Sequence, residues 1–207
     1  MPELFIELFS EEIPARMQKR AEEDLLKLLR EKLGARGLAF KDAHTFSSPR
    51  RLGVSIADLP AKAADVNEEK KGPRVGAPDP AIQGFLKSAG LRAISEAQVV
   101  EDKKGAFYVA RIERAGEATA AIVQHVLPEI IRQFPWPKSM RSQSSDLQWV
   151  RPLHNICCVF DGREVKIDVA GVGSEAATWG HRFHAPAKIA VTTFEKWDRD
   201  LRVAKVI

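Results

Sequence analysis

An α+β fold, with a mixed or antiparallel sheet and helices packed against it, is what this sequence predicts. Short runs with a period of two, opening at Leu4-Phe-Ile-Glu-Leu-Phe9, read as strands. Longer runs repeat near 3.6, and Met17, Ala21, Leu25, Leu28 and Leu29 form the first of these stripes. Between two later apolar runs stands Asp161-Gly162, a tight-turn signal that joins neighbouring antiparallel strands.

Taken in order, residues 3–9 form a strand buried on at least one side. Ser10-Glu-Glu-Ile-Pro14 then opens a helix, with Pro14 early, where a missing N–H costs little. Gly34 or Gly37 ends that helix. Residues 38–46 and 51–58 read as strands joined by Ser47-Ser-Pro49, so residues 1–60 give a β-α-β-β lobe. Residues 61–80 change character, with Pro73, Pro78, Pro80, Gly72, Gly76 and the charge run Glu68-Glu-Lys-Lys71. This composition predicts a linker or long loop. Residues 81–207 are expected to form a second α+β lobe. It opens with a helix over 80–90 closed by Gly90, and a hairpin of 97–101 with 106–113 turned at Asp102-Lys-Lys-Gly105. A helix over 117–133 follows, burying Ala121, Val123, Val126, Ile130 and Ile131, and then a hairpin of 153–160 with 163–170. Phe194, Trp197, Leu201 and Ala204 recur at helical spacing, and no cap or breaker precedes Ile207. The pattern predicts a helix that continues in a longer chain.

At 207 residues and 44% hydrophobic content, the chain can bury one good core or two small lobes. Its 32 basic and 28 acidic residues give a net charge of +4, a mild bias compatible with an RNA partner. Cys157 and Cys158 are adjacent in an apolar run, so on a strand they point to opposite faces and do not bridge. Two thiols are also too few for a four-ligand zinc site, and both read as core residues of a reducing compartment. No signal peptide precedes Leu4, and no apolar run approaches the roughly 18 residues that span a bilayer. A cytoplasmic protein is expected.

Arg, His and Trp concentrate in Pro135-Trp-Pro-Lys-Ser-Met-Arg141, Trp149-Val-Arg-Pro-Leu-His154 and Gly180-His-Arg-Phe-His184. Arginine forks suit phosphate, and aromatic rings beside them can stack on bases. Lys138, Arg141 and Arg151 are therefore candidates for RNA or protein contact, with His154 weighed as a residue that holds a loop. Arg50 and Arg51 enter a strand and point to opposite faces, so at most one faces a partner. His181 and Arg182 read as a locked turn near a contact surface. His181 and His184 stand three apart with no third ligand at suitable spacing, so no metal is expected. Glu11 and Glu12 beside a helix start complement its dipole rather than form a catalytic dyad. The chain has no Gly-x-x-x-x-Gly-Lys-Ser/Thr loop and no Gly-x-Ser-x-Gly elbow, and the apolar neighbours of Cys157 argue against an activated thiol.

Six stretches, in order, resemble the beta subunit of bacterial heterotetrameric glycyl-tRNA synthetases, in its N-terminal part. They are Leu4-Phe-Ile-Glu-Leu-Phe-Ser-Glu-Glu-Ile-Pro14, Ser48-Pro-Arg-Arg-Leu52, Lys71-Gly-Pro73, Pro137-Lys-Ser-Met-Arg141, Val150-Arg-Pro-Leu-His154 and Gly180-His-Arg-Phe183. Two departures stand out: Phe9-Ser10 replaces the usual Gly-Thr, and Ser142-Gln143 replaces Trp-Gly after Arg141. The resemblance implies a piece of a longer subunit that also carries an HD-like region and a C-terminal anticodon-binding domain. It implies a ligase joining glycine to tRNA(Gly), a tetramer of two alpha and two beta subunits. The alpha subunit would use ATP and Mg, leaving no cofactor here and no catalytic residue. By the same resemblance the chain binds tRNA or docks the alpha subunit, and is inactive alone. The rival readings are a stand-alone RNA-binding or scaffold module, and an editing domain.

Overall fold

The computed structural model describes residues 2–102, 105–141 and 146–207. The tip of the expected first hairpin, Lys103-Lys104, and the Ser142-Gln143 departure lie outside the described residues. In chain order the elements are β1 (Leu4–Ser10), α1 (Ala15–Gly34), β2 (Ala43–Ser48), β3 (Arg51–Ile56), β4 (Val66–Arg74), α2 (Asp79–Ala89), β5 (Gln98–Asp102) and β6 (Gly105–Arg114). There follow α3 (Thr119–Arg132), β7 (Met140–Arg141), β8 (Gln148–Trp149), β9 (Leu153–Phe160), β10 (Arg163–Glu164), β11 (Asp168–Val169), β12 (Val172–Gly173), β13 (Ala177–Trp179), β14 (Lys188–Ala190) and α4 (Phe194–Val203). Helices and antiparallel strand pairs together make the α+β class that the two periodicities predict.

The chain divides into two units, one of residues 1–63 with 117–207 and one of residues 64–116. The larger unit is built on a five-stranded sheet in the order β10-β9-β1-β3-β2. Its middle strand β1 is buried along its whole length and pairs antiparallel with β3 (Leu4↔Ile56) and with β9 (Leu4↔Phe160). A strand covered on both sides has two buried faces, and here they differ. Leu4, Ile6 and Leu8 join the α1 stripe (Met17, Ala21, Leu25, Leu29, Leu33) and the α3 face (Ile122, Val126, Ile130) in the main core. Phe5, on the other face, packs with Val191, Trp197 and Leu201 in a smaller one. Cys158 belongs to the first cluster and Cys157 to the second, as neighbours on a strand must.

The boundaries near residues 60–80 and the second lobe over 81–207 differ from this division. β1 pairs across some 150 positions with β9, so residues 117–207 close the same core that residues 2–63 begin. The chain leaves and re-enters this unit side by side, with Ala63 N donating to Glu117 O at 2.9 Å. Within residues 61–80 the structure has β4, not a loop. β4 is an edge strand of the sheet β4-β6-β5, where charged side chains are tolerated, and Glu69 pairs with Arg111 at 3.0 Å. Pro73 sits where the β4–β6 register shifts between Lys71 and Arg74, so its missing donor is not needed by the ladder. α2 ends at Gly90, which takes the left-handed conformation (φ 69°) and with Phe85, Ala89 and Ala110 completes the small unit.

Three other differences are local. The expected strand over 38–46 starts only at Ala43, because Leu38 is drawn back to the α1 end by its N–H to Leu33 O at 2.9 Å. The expected 163–170 strand is broken in two: β10, joined to β9 through Asp161 and Gly162, both at positive φ (49° and 75°), and β11, which pairs with β12 instead. The last helix does not run on: α4 ends at Val203 and is closed by Lys205 at φ 58°. Val206 N bonds Leu201 O at 2.9 Å and Lys205 N bonds Arg202 O at 3.1 Å, the paired closure of a helix end. Among the described residues no helix is long and apolar enough to cross a membrane.

Gly53 shows how tightly the sheet is closed by its aromatic cover. A Cβ there would meet Phe46 and would lie 2.5 Å from Ile6 O. Phe46 in turn stacks on Phe5 (centroids 5.9 Å) and packs on Trp197 (4.4 Å). Gly53→Ala is expected to lower stability by about 2 kcal/mol, the scale of overpacking a filled core, read as the urea midpoint. An unchanged midpoint would show that Phe46 moves freely.

Candidate functional site

Three groups of charged side chains lie on the larger unit, and their environments separate them. The first is buried. Glu7 on β1 and Arg51 on β3 are 0% and 5% exposed, and Arg51 Nε stands 2.8 Å from Glu7 Oε1. The same oxygen accepts hydrogen bonds from Thr178 Oγ1 and Trp197 Nε1, both at 3.0 Å, while Arg51 Nη2 donates to Trp179 O. Burial pushes the Glu7 carboxyl above its ordinary value, opposed by Arg51 and by the bonds from Thr178 and Trp197. Arg51 is thus an internal strut, and the sequence reading that placed it with Arg50 as a contact residue is corrected. Arg51 opens β3 and turns into the core, whereas Arg50 lies in the turn between β2 and β3 and reaches Glu11.

The second group meets at one carboxylate at the end of β1. Glu11 receives Arg182 Nη2 at 2.9 Å and Arg50 Nη2 at 3.4 Å, and His154 Nε2 lies 2.8 Å away. Arg182 also reaches Glu12 at 3.5 Å. The hydrogen bond from His154, then Arg50 and Arg182, hold the Glu11 carboxyl below the usual carboxylate range. Phe9 stacks on Trp179 (centroids 5.3 Å), and the guanidiniums of Arg50 and Arg51 lie 4.6 and 4.8 Å over its ring. A cleft of about 600 Å³ opens among Phe9, Glu11, Arg50, His154 and Trp179. Sequence reasoning treated Glu11 as a helix-dipole partner. The helix starts four residues later, at Ala15, and Glu11 instead gathers Arg50, His154 and Arg182 from three distant segments.

The third group is free of acidic partners. Arg16, Lys138, Arg141 and Arg151 are all exposed, and among the described residues none of them forms an ion pair. Arg16, Lys138 and Arg151 line one pocket of about 270 Å³ beside Pro14 and Met140, with Arg141 next along β7. Arg16 was not among the residues singled out from the sequence, because it reads there as one more charge on a helix face. The aromatic rings expected beside these cations are not displayed. Trp149 is 2% exposed, packed on Phe134 (5.1 Å) and edge-on to Trp136 (5.0 Å).

His181 closes its turn on itself. Its Nδ1 accepts from Phe183 N and His184 N, both at 3.2 Å, and its own N–H bonds Ala204 O at 3.0 Å. Gly180 must be glycine, since a Cβ would collide with Ala185 O and stand 2.9 Å from Ala204 Cβ. Burial raises the thiols of Cys157 and Cys158, so neither is poised as a nucleophile.

A family profile described as glycyl-tRNA synthetase beta subunit matches residues 4–207. The chain belongs to this family. It is 48% identical over 211 residues to the glycine–tRNA ligase beta subunit of Paracoccus denitrificans (strain Pd 1222). The match takes in 100% of the chain and 31% of that relative, so the chain spans about a third of the relative's length. The family span includes all three charged groups.

The Glu11 junction carries a pH signature. Its folded-state pKa is depressed, so its contribution is present above the ordinary carboxylate value of about 4.3 and is lost as pH falls toward the folded value. Glu11→Gln is expected to lower the urea midpoint at pH 7, and to differ less and less from the unsubstituted protein as pH falls below the ordinary carboxylate value and Glu11 itself becomes protonated. A deficit that stays equal as pH falls would show that Glu11 stabilises by packing and not by charge.

Proposed function

We propose that this chain is the tRNA-facing N-terminal region of a glycine–tRNA ligase beta subunit, acting in the cytoplasm. In that reading it supports the ATP-dependent attachment of glycine to tRNA(Gly), in a tetramer of two alpha and two beta subunits. The alpha subunit activates glycine with ATP and Mg, and this region alone forms no glycyl-tRNA. What supports the reading is a set of cations with no ion pair among the described residues, Arg16, Lys138 and Arg151 around one pocket and Arg141 next to it on β7, in a chain matching the family from residue 4 to its last residue. Cations already satisfied by Glu7 or Glu11 gain little from a phosphate, whereas unneutralised ones exchange counterions for it. Phosphate contacts of this kind position RNA and do not read its sequence. His154 and Arg182, committed to Glu11, shape the surface instead.

The test is a mobility-shift titration with tRNA(Gly) and a non-cognate tRNA across a salt series. Arg141→Ala and Arg151→Ala are each expected to weaken binding of both tRNAs and to reduce the slope of log affinity against log salt by about one per contact. Unchanged slopes in both variants would remove the patch from the RNA contact. Binding of the alpha subunit, lost in the same variants, would then assign the patch to subunit docking.

A further inference from the structure

Phe183 is 81% exposed, the most exposed large apolar side chain among the described residues. Elsewhere in the chain aromatic rings are packed against one another, as Phe134, Trp136 and Trp149 are. An outward phenyl ring loses the stabilisation that burial would provide, yet the backbone that carries it is fixed at several points. His181 Nδ1 accepts from the N–H groups of both Phe183 and His184, Ala185 N bonds His181 O at 3.0 Å, and Gly180 N bonds Ala187 O at 3.1 Å. The turn is anchored to the end of α4 through His181 N and Ala204 O, and to the Glu11 junction through Arg182. A mobile loop could fold such a ring away. This one holds it out.

We propose that Phe183 is a stacking platform for an unpaired base of the bound RNA, a role that rests on the tRNA-facing reading above. The neighbours of the ring decide the class of partner. On its own turn they are polar: the His181 ring lies 6.2 Å from the phenyl, and Arg182 and His184 flank Phe183 in the chain, with Arg182 turned toward Glu11 and Glu12. Protein anchors sit in apolar surroundings with a polar rim, whereas single-stranded nucleic acid is held by an aromatic face among cations that track its backbone. The pocket of about 280 Å³ against which Phe183 lies has Glu12, Ser48, Arg50 and Arg182 in its lining, with both arginines held by Glu11; the cations for the backbone are those of the neighbouring basic patch. Through Glu11 and Glu12 this turn borders the same Glu11–Arg16 segment that leads into the free basic patch. The stack would lie at the edge of the phosphate-contacting surface.

The experiment compares Phe183→Ala, Phe183→Trp and Arg141→Ala in the full-length subunit that carries this region. Affinity for tRNA(Gly) is followed across a salt series, with folding checked by urea midpoint. Phe183→Ala is expected to weaken binding about tenfold with an unchanged salt slope, the scale of one stacked base. Phe183→Trp should restore affinity and show quenching of its indole emission on binding. Arg141→Ala should change the slope instead. Native affinity of Phe183→Ala beside a weakened Arg141→Ala overturns the stacking role and leaves the RNA reading standing. Absence of RNA binding by the unsubstituted subunit overturns both, and loss of alpha-subunit binding in Phe183→Ala would reassign the ring to a protein contact.

Discussion

One buried ion pair organises the larger unit. Glu7 sits in the middle of the central strand with no exposure, and Arg51 reaches it from the neighbouring strand. Each charge alone would cost several kcal/mol to bury. The arrangement distributes that cost over four elements: β1 and β3 supply the charges, β13 supplies Thr178, and α4 supplies Trp197. Because Arg51 also donates to Trp179 O, the strut fixes the segment that leads directly into Gly180 and the Phe183 turn. The second, smaller core forms around this polar centre, with Phe5, Phe46, Phe194 and Trp197 packed ring against ring.

From that constraint the surface chemistry follows. Once β13 is held against β1, Arg182 falls within 2.9 Å of Glu11, and His154 and Arg50 arrive at the same carboxylate. The junction is nearly balanced in charge and ties the loops at one end of the sheet. Partly exposed pairs like these add little stability each, so their effect is to set geometry. The cations around Pro14 and Met140 form no ion pair among the described residues. A mild net charge of +4 therefore conceals a division between arginines paired inside the larger unit and arginines that form no ion pair among the described residues.

Much of the fold is readable from the chain because it is local. The α1 stripe, the Asp161-Gly162 turn and the Gly90 cap each depend on a few neighbouring residues, and each lies where periodicity and turn chemistry put it. What the sequence hides is long-range. No local pattern tells that β1 pairs with β9, so the two-lobe division fails and residues 64–116 prove to be an insertion. The β4 strand is hidden because an edge strand tolerates the charges and proline that elsewhere signal a loop. At the site, Arg51 illustrates the limit. The sequence expects both Arg50 and Arg51 on one strand, but Arg50 lies in the turn, and only the burial of Glu7 shows that Arg51 turns inward. Trp149 is similar: a tryptophan beside proline and arginine reads as a surface residue until Phe134 and Trp136 close over it.

The account stands or falls on Arg51 being a strut for Glu7. The direct measurement is a double-mutant cycle by urea unfolding with Glu7→Leu, Arg51→Met and the pair together. Each single change leaves a buried charge alone and is predicted to cost about 3–5 kcal/mol, and the double variant less than either. Costs that simply add would contradict the account, because Glu7 and Arg51 would then stabilise the fold independently of each other.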